Sequence, residues 1–474
     1  MIIRNINHDC SYNIEKIAVM FFPLEKLKKD GEDSVVIQTE KNGDTLYVRV
    51  RAYSRYLEKS HTLSSGEDLT HAMSILLYDT LCELTSYSLP WGILYGVRPA
   101  RLMHATSEAL GIDGAIEKFR ADRVEQKRID LALSVMKSEN RIIALSKPDS
   151  FSLYISIPFC PSRCSYCSFV SHSIENARDL TQPYTQLLCK EIKRIGEIAT
   201  QLSLRLESIY FGGGTPTTLS AEQLDLILRT VEDSFDLSTL REYTVEAGRP
   251  DTVTKQKLDT LLAHNVTRIS INPQTFSDDV LKNIGRRHTV NQVIEAFELA
   301  RSVGFNNINM DLIAGLGGDT PEGFKNSIDT AVSMNPESIT VHNLALKSGA
   351  YLCTENEFFD LSQRNSVRSM IGYSFEKMKQ SDYNPYYMYR QSKSLGNLEN
   401  VGYAKEGCEC LYNVFMMDET HTVLSAGAGA VTKLKNYETS HISRIYNYKY
   451  PYEYLNDFDE IMNRKQGIID FYNS

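Results

Sequence analysis

Between residues 151 and 344, short apolar and β-branched runs recur six times, at 151–158, 206–211, 242–246, 267–272, 307–313 and 338–344. The stretches between them place apolar residues at helical spacing, as over 183–201 and 291–303. Strands that alternate with helices predict βαβ units and a parallel sheet. Six such units in roughly two hundred residues predict an α/β fold, a partial (β/α)6 TIM-like barrel rather than a closed eight-fold one. In folds of this kind ligands bind at the carboxyl ends of the strands.

The flanks follow other patterns. Residues 1–147 read as an N-terminal α+β domain. Within it, 17–22 reads as a short strand. The runs 35–38 and 45–51 flank Asn42-Gly43 and read as a hairpin whose connection is longer than two residues. Leu69, Ala72, Met73, Leu76, Leu77, Leu81 and Leu84 recur at helical spacing, with Ser65 as the expected cap. The segment 90–99 is turn-rich, holds the only Trp and reads as a packed loop. Lys147-Pro148-Asp149 reads as a linker to the barrel domain, residues 148–350. Residues 351–474 read as a C-terminal α+β extension covering the substrate. There Val367, Met370, Ile371 and Phe375 predict an amphipathic helix. The runs 411–417 and 422–425 predict an antiparallel hairpin, and a last helix is expected over 452–463.

Composition narrows the chemistry. The chain has 474 residues, 42% of them hydrophobic, and a formal net charge of −9. That balance disfavours nucleic acid and anionic membrane as bulk partners, so an acidic substrate must meet local Arg, Lys or His. Nine cysteines are scattered apart from one cluster and a 408/410 pair, which is not a disulfide framework. No run approaches a membrane span, and the expected location is cytoplasmic.

The cluster is Cys160-Pro-Ser-Arg-Cys164-Ser-Tyr166-Cys167, directly after the first strand. Soft thiolates at short reach on one loop suit iron–sulfur ligation. Three ligands to a four-iron cluster leave one iron open for chemistry. A structural zinc site wants four protein ligands, and no second cysteine pair lies nearby. Other unusual residues fall at the ends of the remaining strands. They are Gly212-Gly213-Gly214-Thr215-Pro216, Glu246, Gln274, Asp311 and the stretch 342–345. The glycine run lacks the Lys that would complete a P-loop.

With Cys160, Cys164, Cys167 and Tyr166 the chain resembles the radical S-adenosylmethionine (SAM) superfamily. The resemblance implies a 4Fe–4S cluster whose open iron binds SAM. The GGGTPT variant, with Gly213, Gly214 and Thr215, resembles the oxygen-independent coproporphyrinogen III oxidases and their relatives. Tyr154, Glu246, Gln274, Arg286, Asp311 and Ala345 match further positions of that branch, and the resemblance implies that they contact SAM. LYGVRP, VEAGRPD, SINPQT and YRQSKSLGNLENVGYA are similar to the coproporphyrinogen dehydrogenase (HemZ) branch. The implied activity is oxidative decarboxylation of coproporphyrinogen III propionates to vinyl groups, in porphyrin and haem biosynthesis. The implied partners are a tetrapyrrole substrate and an unidentified electron donor and acceptor. Tyr386, Tyr387, Tyr389, Arg390, Lys393, Arg287 and His288 offer the aromatic walls and cations that a flat tetracarboxylate needs. Two features depart from the oxidase pattern. Phe169 stands where it has a fourth cysteine, as in relatives that carry haem, and Gly317 and Asp319 alter the turn after the fifth strand. A haem-binding chaperone, or another radical SAM reaction on haem, is therefore the alternative. Cys408 and Cys410 read as thiols outside any metal site.

Overall fold

The computed structural model describes all residues except 24, 32, 168–171, 346–360, 392–393 and 474. The chain forms two compact units. The first comprises Met1–Leu133, the described part of Asn356–Arg368, and Tyr389–Glu399; the second holds the rest.

In the first unit β1 (Ile2–Ile6), β2 (Val35–Asn42), β3 (Thr45–Ala52) and β4 (Arg55–Thr62) form a sheet in that order. Val35, Ile37, Leu46, Val48 and Val50 alternate with more exposed neighbours and face the core. Against them pack α1 (Ser11–Phe21) and α2 (Leu69–Thr85). Residues 17–21 are therefore helix, not strand. A six-residue apolar run fits either period, and Ile14 extends the buried stripe through Ile17, Ala18 and Phe21 at helical spacing. The hairpin is tighter than expected. Pairing runs on to Asn42 opposite Thr45, so only Gly43, at φ +58°, and Asp44 connect the strands. The α2 cap is Asp68, whose carboxylate accepts from the His71 amide, rather than Ser65. Next come α3 (Pro99–Ala121), broken at Gly111, and α4 (Gln126–Ile143), within which the unit boundary falls. Trp91 is fully buried and donates its Nε1–H to Glu399 across 2.8 Å.

The second unit is built on an eleven-stranded open sheet. Its parallel centre contains all six expected strands: β5 (Ser150–Ile157), β8 (Arg205–Gly213), β9 (Glu242–Glu246), β10 (Arg268–Ser270), β11 (Ile308–Ala314) and β12 (Ser338–Asn343). The numbers β6 and β7 belong to a two-residue pair, Phe159–Cys160 and His172–Ser173, after β5. The crossovers include α5 (Ile174–Gln201), α6 (Ala221–Ser234), α7 (Lys255–Ala263), α8 (Asp278–Asn283), α9 (Val290–Val303) and α10 (Pro321–Ser333). After α11 (Leu361–Gln380) come β13 (Asn384–Arg390) and β14 (Glu399–Ala404); β14 runs antiparallel to β12.

The expected hairpin at 411–425 is replaced by helix α12 (Leu411–Asp418) and strand β15 (Thr422–Ala426). Glu242 decides this locally: its carboxylate accepts the Leu411 amide at 2.7 Å and the Tyr412 amide at 3.3 Å, satisfying the helix N-terminus. β15 then joins β5 in parallel as a seventh central strand. It continues antiparallel into β16 (Val431–Lys435) and β17 (Ile442–Tyr446). Three short helices replace the one expected at the end: α13 (Pro451–Asn456), α14 (Phe458–Arg464) and α15 (Gln466–Asn473).

Side chains alternate across the central strands. Leu153, Ile155, Ile209, Phe211, Val245, Ile269, Met310, Leu312 and Ile339 form one fully buried apolar face. The other face is polar over almost its whole width: Ser152, Tyr154 and Ser156; Tyr210; Thr244 and Glu246; Arg268 and Ser270; Asn309 and Asp311; Thr340 and His342.

Candidate active site

Cys160 ends β6, and the chain then turns so that the Cys167 amide donates to the Cys164 carbonyl at 3.1 Å. The Ser165 amide is tied to the Ile284 carbonyl at 3.1 Å and Ser162 Oγ to that of Gly285 at 3.1 Å. Donors point at two of the sulfurs. Thr215 Oγ1 lies 3.5 Å from Cys160 Sγ, and Arg249 Nη1 lies 3.8 Å from Cys164 Sγ. Arg249 is buried and held in place by Asp251 at 3.0 Å. Among the described residues no three His, Cys, Asp or Glu side chains converge as a single-ion site requires. The three thiols of this loop, two of them with donors aimed at their sulfurs, have the soft-donor chemistry that suits an iron–sulfur cluster.

The glycine run packs on this loop. Gly214 donates to the Ile157 carbonyl at 2.7 Å and Thr215 to that of Phe159 at 2.7 Å. A Cβ on Gly214 would fall 2.5 Å from Phe159 O and 3.0 Å from Cys160 Sγ. Gly213 has φ +104°, a left-handed conformation that a side chain would strain.

Glu246 and Asp311 stand on the polar face beyond it. Tyr210 donates its hydroxyl to Glu246 Oε1 at 2.6 Å. Burial pushes the Glu246 carboxyl up to about 7, against the hydrogen bond from Tyr210, and the charge of Asp311 adds to the rise. Asp311 goes the other way. Burial opposes its ionisation, but His342, 3.7 Å away, and Asn309 Nδ2, 2.7 Å away, hold it below the usual carboxylate range. Two carboxylates on one face are thus set to different protonation states near neutrality.

Gln274 sits at φ +66° and bridges to β11, its amide on Asp311 O at 2.9 Å and its carbonyl accepting from Ile313 at 3.0 Å. Its side-chain Oε1 is buried without a hydrogen-bond partner among the described residues, as are Asn272 Oδ1, Ser270 Oγ and Thr244 Oγ1. Polar atoms left unsatisfied in this way would be answered by a polar ligand, and SAM fits their chemistry. Arg286 is buried, with Nη1 on the Asn272 carbonyl at 2.7 Å and Nη2 3.3 Å from the Tyr166 hydroxyl, so it links the cluster loop to this lining. Tyr210 and Tyr412 stack at a centroid distance of 4.5 Å, and Tyr154 lies beside both, at 6.3 and 6.0 Å. Ala345 follows directly on Leu344, whose amide donates to Ala314 O at 3.0 Å.

A matching family model covers residues 154–331: the radical SAM superfamily. The oxygen-independent coproporphyrinogen-III oxidase-like protein HemZ of Bacillus subtilis is 34% identical, over 95% of this chain and 94% of its own length. The chain belongs to the oxygen-independent coproporphyrinogen III oxidase family of radical SAM proteins. It is a radical SAM oxidoreductase whose cofactors are a 4Fe–4S cluster and SAM. The heme chaperone HemW of B. subtilis is 35% identical, over 58% of this chain and 70% of its own length. Coproporphyrinogen III oxidase (HemN) from Escherichia coli shares the fold, with a TM-score of 0.53 at 21% identity, covering 68% of this chain and 72% of its own.

Several expected substrate contacts sit elsewhere than an open surface. Tyr386 and Tyr387 are buried and pack ring to ring at 4.9 Å. Arg390 is buried in the first unit, on the carbonyls of Leu94 and Gly96. Arg287 is exposed and paired with Glu175, while His288 is buried and held neutral, its pKa pushed down to about 3 by burial. Lys393 and Phe169 lie outside the described residues. Cys410 is buried with its Sγ 3.3 Å from Glu242 Oε1, and burial pushes the thiol well up, as befits a structural side chain. Sequence reasoning missed Tyr210, Tyr412, Arg249 and Asn272. A signal was available for three of them. Arg249 and Asn272 stand within the VEAGRPD and SINPQT motifs, and Tyr210 falls on the same strand face as Gly212.

Proposed function

We propose that the protein converts coproporphyrinogen III to protoporphyrinogen IX without oxygen, by oxidative decarboxylation of two propionates to vinyl groups. The observation that carries this reading is the similarity, over nearly the whole chain, to an oxidase-like protein of that name. When bound, the cluster and SAM supply the hydrogen-abstracting radical chemistry. The chain's own residues hold and shield these groups. Cys160, Cys164 and Cys167 take the iron, with Thr215 and Arg249 donating to the sulfurs of Cys160 and Cys164. Gly213 and Gly214 give SAM close access to the loop, and Glu246, Gln274, Asp311 and Arg286 receive its polar atoms. Tyr154, Tyr166 and Ala345 complete that pocket. The stack of Tyr154, Tyr210 and Tyr412, the last from α12, supports a role for the C-terminal extension in covering the substrate and excluding water.

Anaerobic incubation of the iron- and sulfide-reconstituted protein with SAM, a reductant and coproporphyrinogen III tests this. With an electron acceptor present, two successive losses of carbon dioxide plus two hydrogens, one hydrogen atom of each pair taken by the SAM-derived radical, are expected by mass spectrometry. An intact, SAM-cleaving cluster that leaves the substrate unchanged overturns the reading. A haem chaperone is the second reading, favoured by the heme chaperone relative and by Phe169. It predicts tight stoichiometric haem binding that needs no SAM cleavage.

A further inference from the structure

The first unit contains a cavity of about 480 Å³, lined wholly by its own residues. The walls are largely apolar: Val19, Met20 and Pro23 from the α1 region face Val97. Tyr12 and Tyr95 stand at the mouth as an edge-to-face pair with centroids 5.7 Å apart, both exposed. The volume lies in the range of small-molecule sites, which bury most of an apolar ligand against a few placed polar groups.

The polar lining includes the neutral Gln391, Ser394 and Asn397, and its charged groups are cations. Arg364 and Arg390 are 6% and 4% exposed, and among the described residues no carboxylate lies within ion-pair distance of either. Arg364 donates to the Phe21 carbonyl at 3.1 Å, and Arg390 to that of Leu94 at 2.6 Å. Arg390 Nε is buried with no hydrogen-bond partner among the described residues. Glu399 is close enough for its charge to reach Arg390. Its carboxylate is already taken by Arg128 at 2.7 Å and Trp91 at 2.8 Å. Two buried guanidiniums answered, among the described residues, by carbonyls and by the rings of Tyr87 and Trp91 are costly unless an anion joins them. Burial alone pulls the Arg390 pKa down to about 10. Lys16, exposed at the rim, adds a third positive charge.

We infer that this cavity is a ligand site of the first unit, separate from the cluster loop, for a molecule with a flat or extended apolar body ending in a carboxylate. The carboxylate meets Arg390 and Arg364 inside, as planar guanidiniums favour. The body lies along Met20 and Val97 and under the two tyrosines. Both a tetrapyrrole bearing propionates and a fatty acid have this chemistry.

The molecule carries its own reporter. Trp91, the only tryptophan, lies against Arg390, whose guanidinium is 5.6 Å from the indole centroid. The full-length protein is titrated with coproporphyrin III and, separately, with dodecanoate, following Trp91 emission. Saturable change at one molecule per chain is expected with at least one probe. Response to the porphyrin alone assigns a tetrapyrrole site, and response to dodecanoate assigns a general apolar carboxylate site. Arg390→Gln is expected to weaken binding tenfold or more. Lys16→Glu, an exposed change that leaves the fold intact, weakens it severalfold. No saturable response to either probe, or unchanged affinity in Lys16→Glu and in folded Arg390→Gln, overturns the inference.

Discussion

Tyr210 and Glu246 face each other across neighbouring parallel strands, and the tyrosine gives its hydroxyl to the carboxylate at 2.6 Å. Burial raises the pKa of this acid on the polar face, and the bond from Tyr210 partly offsets the rise. Glu246 ionises at about 7, so it is only partly charged at neutral pH. If SAM binds the carboxylate form, its affinity rises from pH 6 to pH 8. Tyr210→Phe removes the donor that favours ionisation and moves this midpoint upward. Calorimetric titration with SAM across that range checks the shift, and an unmoved midpoint contradicts the coupling.

The same acid leaves a mark on stability without SAM. The unfolded chain loses the Glu246 proton at about 4.5, whereas the folded chain keeps it to about 7. Between those values the folded state binds more protons, so stability falls as pH rises through this window. Glu246→Gln removes that loss. The variant should gain on the wild type by up to about 3 kcal/mol at pH 8 compared with pH 4, read from urea unfolding at both.

Glu191 and Lys465 form an ion pair at 2.6 Å in which both side chains are almost fully buried. Tyr454, Asn447 and the Gly427 amide complete the bonding of the carboxylate. This fixes the glycine loop after β15, whose Ala428 carbonyl accepts Ser156 Oγ at 2.7 Å. Lys465→Met strands a buried carboxylate and should cost about 3–5 kcal/mol in thermal or denaturant unfolding.

Gly214→Ala inserts a methyl against the cluster loop, 2.5 Å from Phe159 O. The loop must shift to admit it. Iron per chain after anaerobic reconstitution should fall sharply while far-ultraviolet dichroism stays that of the wild type. Arg249→Gln should lower iron retention more mildly, because the sulfur of Cys164 loses its neighbouring charge.

The parallel centre of the sheet was legible because each strand is an apolar run bounded by turns, and βαβ units admit few arrangements. The cluster loop was legible because three cysteines within eight residues need no fold to bring them together. Two elements were not. At 17–22 and 411–417 a short apolar run carries no period long enough to separate helix from strand. The answer came from outside the run, from Ile14 in one case and from the Glu242 carboxylate, on a distant strand, in the other. Tyr412 could not have been placed beside Tyr154 without knowing that α12 is a helix, although 258 positions separate the two residues in the chain. Burial explains the misread aromatic stretch. Tyr386 and Tyr387 look like a binding surface in sequence, yet a strand with close neighbours covers them: a Cβ on Gly402 would lie 1.9 Å from the Tyr387 ring.

The central claim is that the thiol loop and the polar face act together as one radical SAM site on a tetrapyrrole. Counting 5′-deoxyadenosine against vinyl groups formed from coproporphyrinogen III, in the wild type and in Cys164→Ser, tests it most directly. The account predicts that both products accumulate in step in the wild type and that neither forms in the variant. SAM cleavage with every propionate intact, or vinyl groups formed by Cys164→Ser, would contradict it.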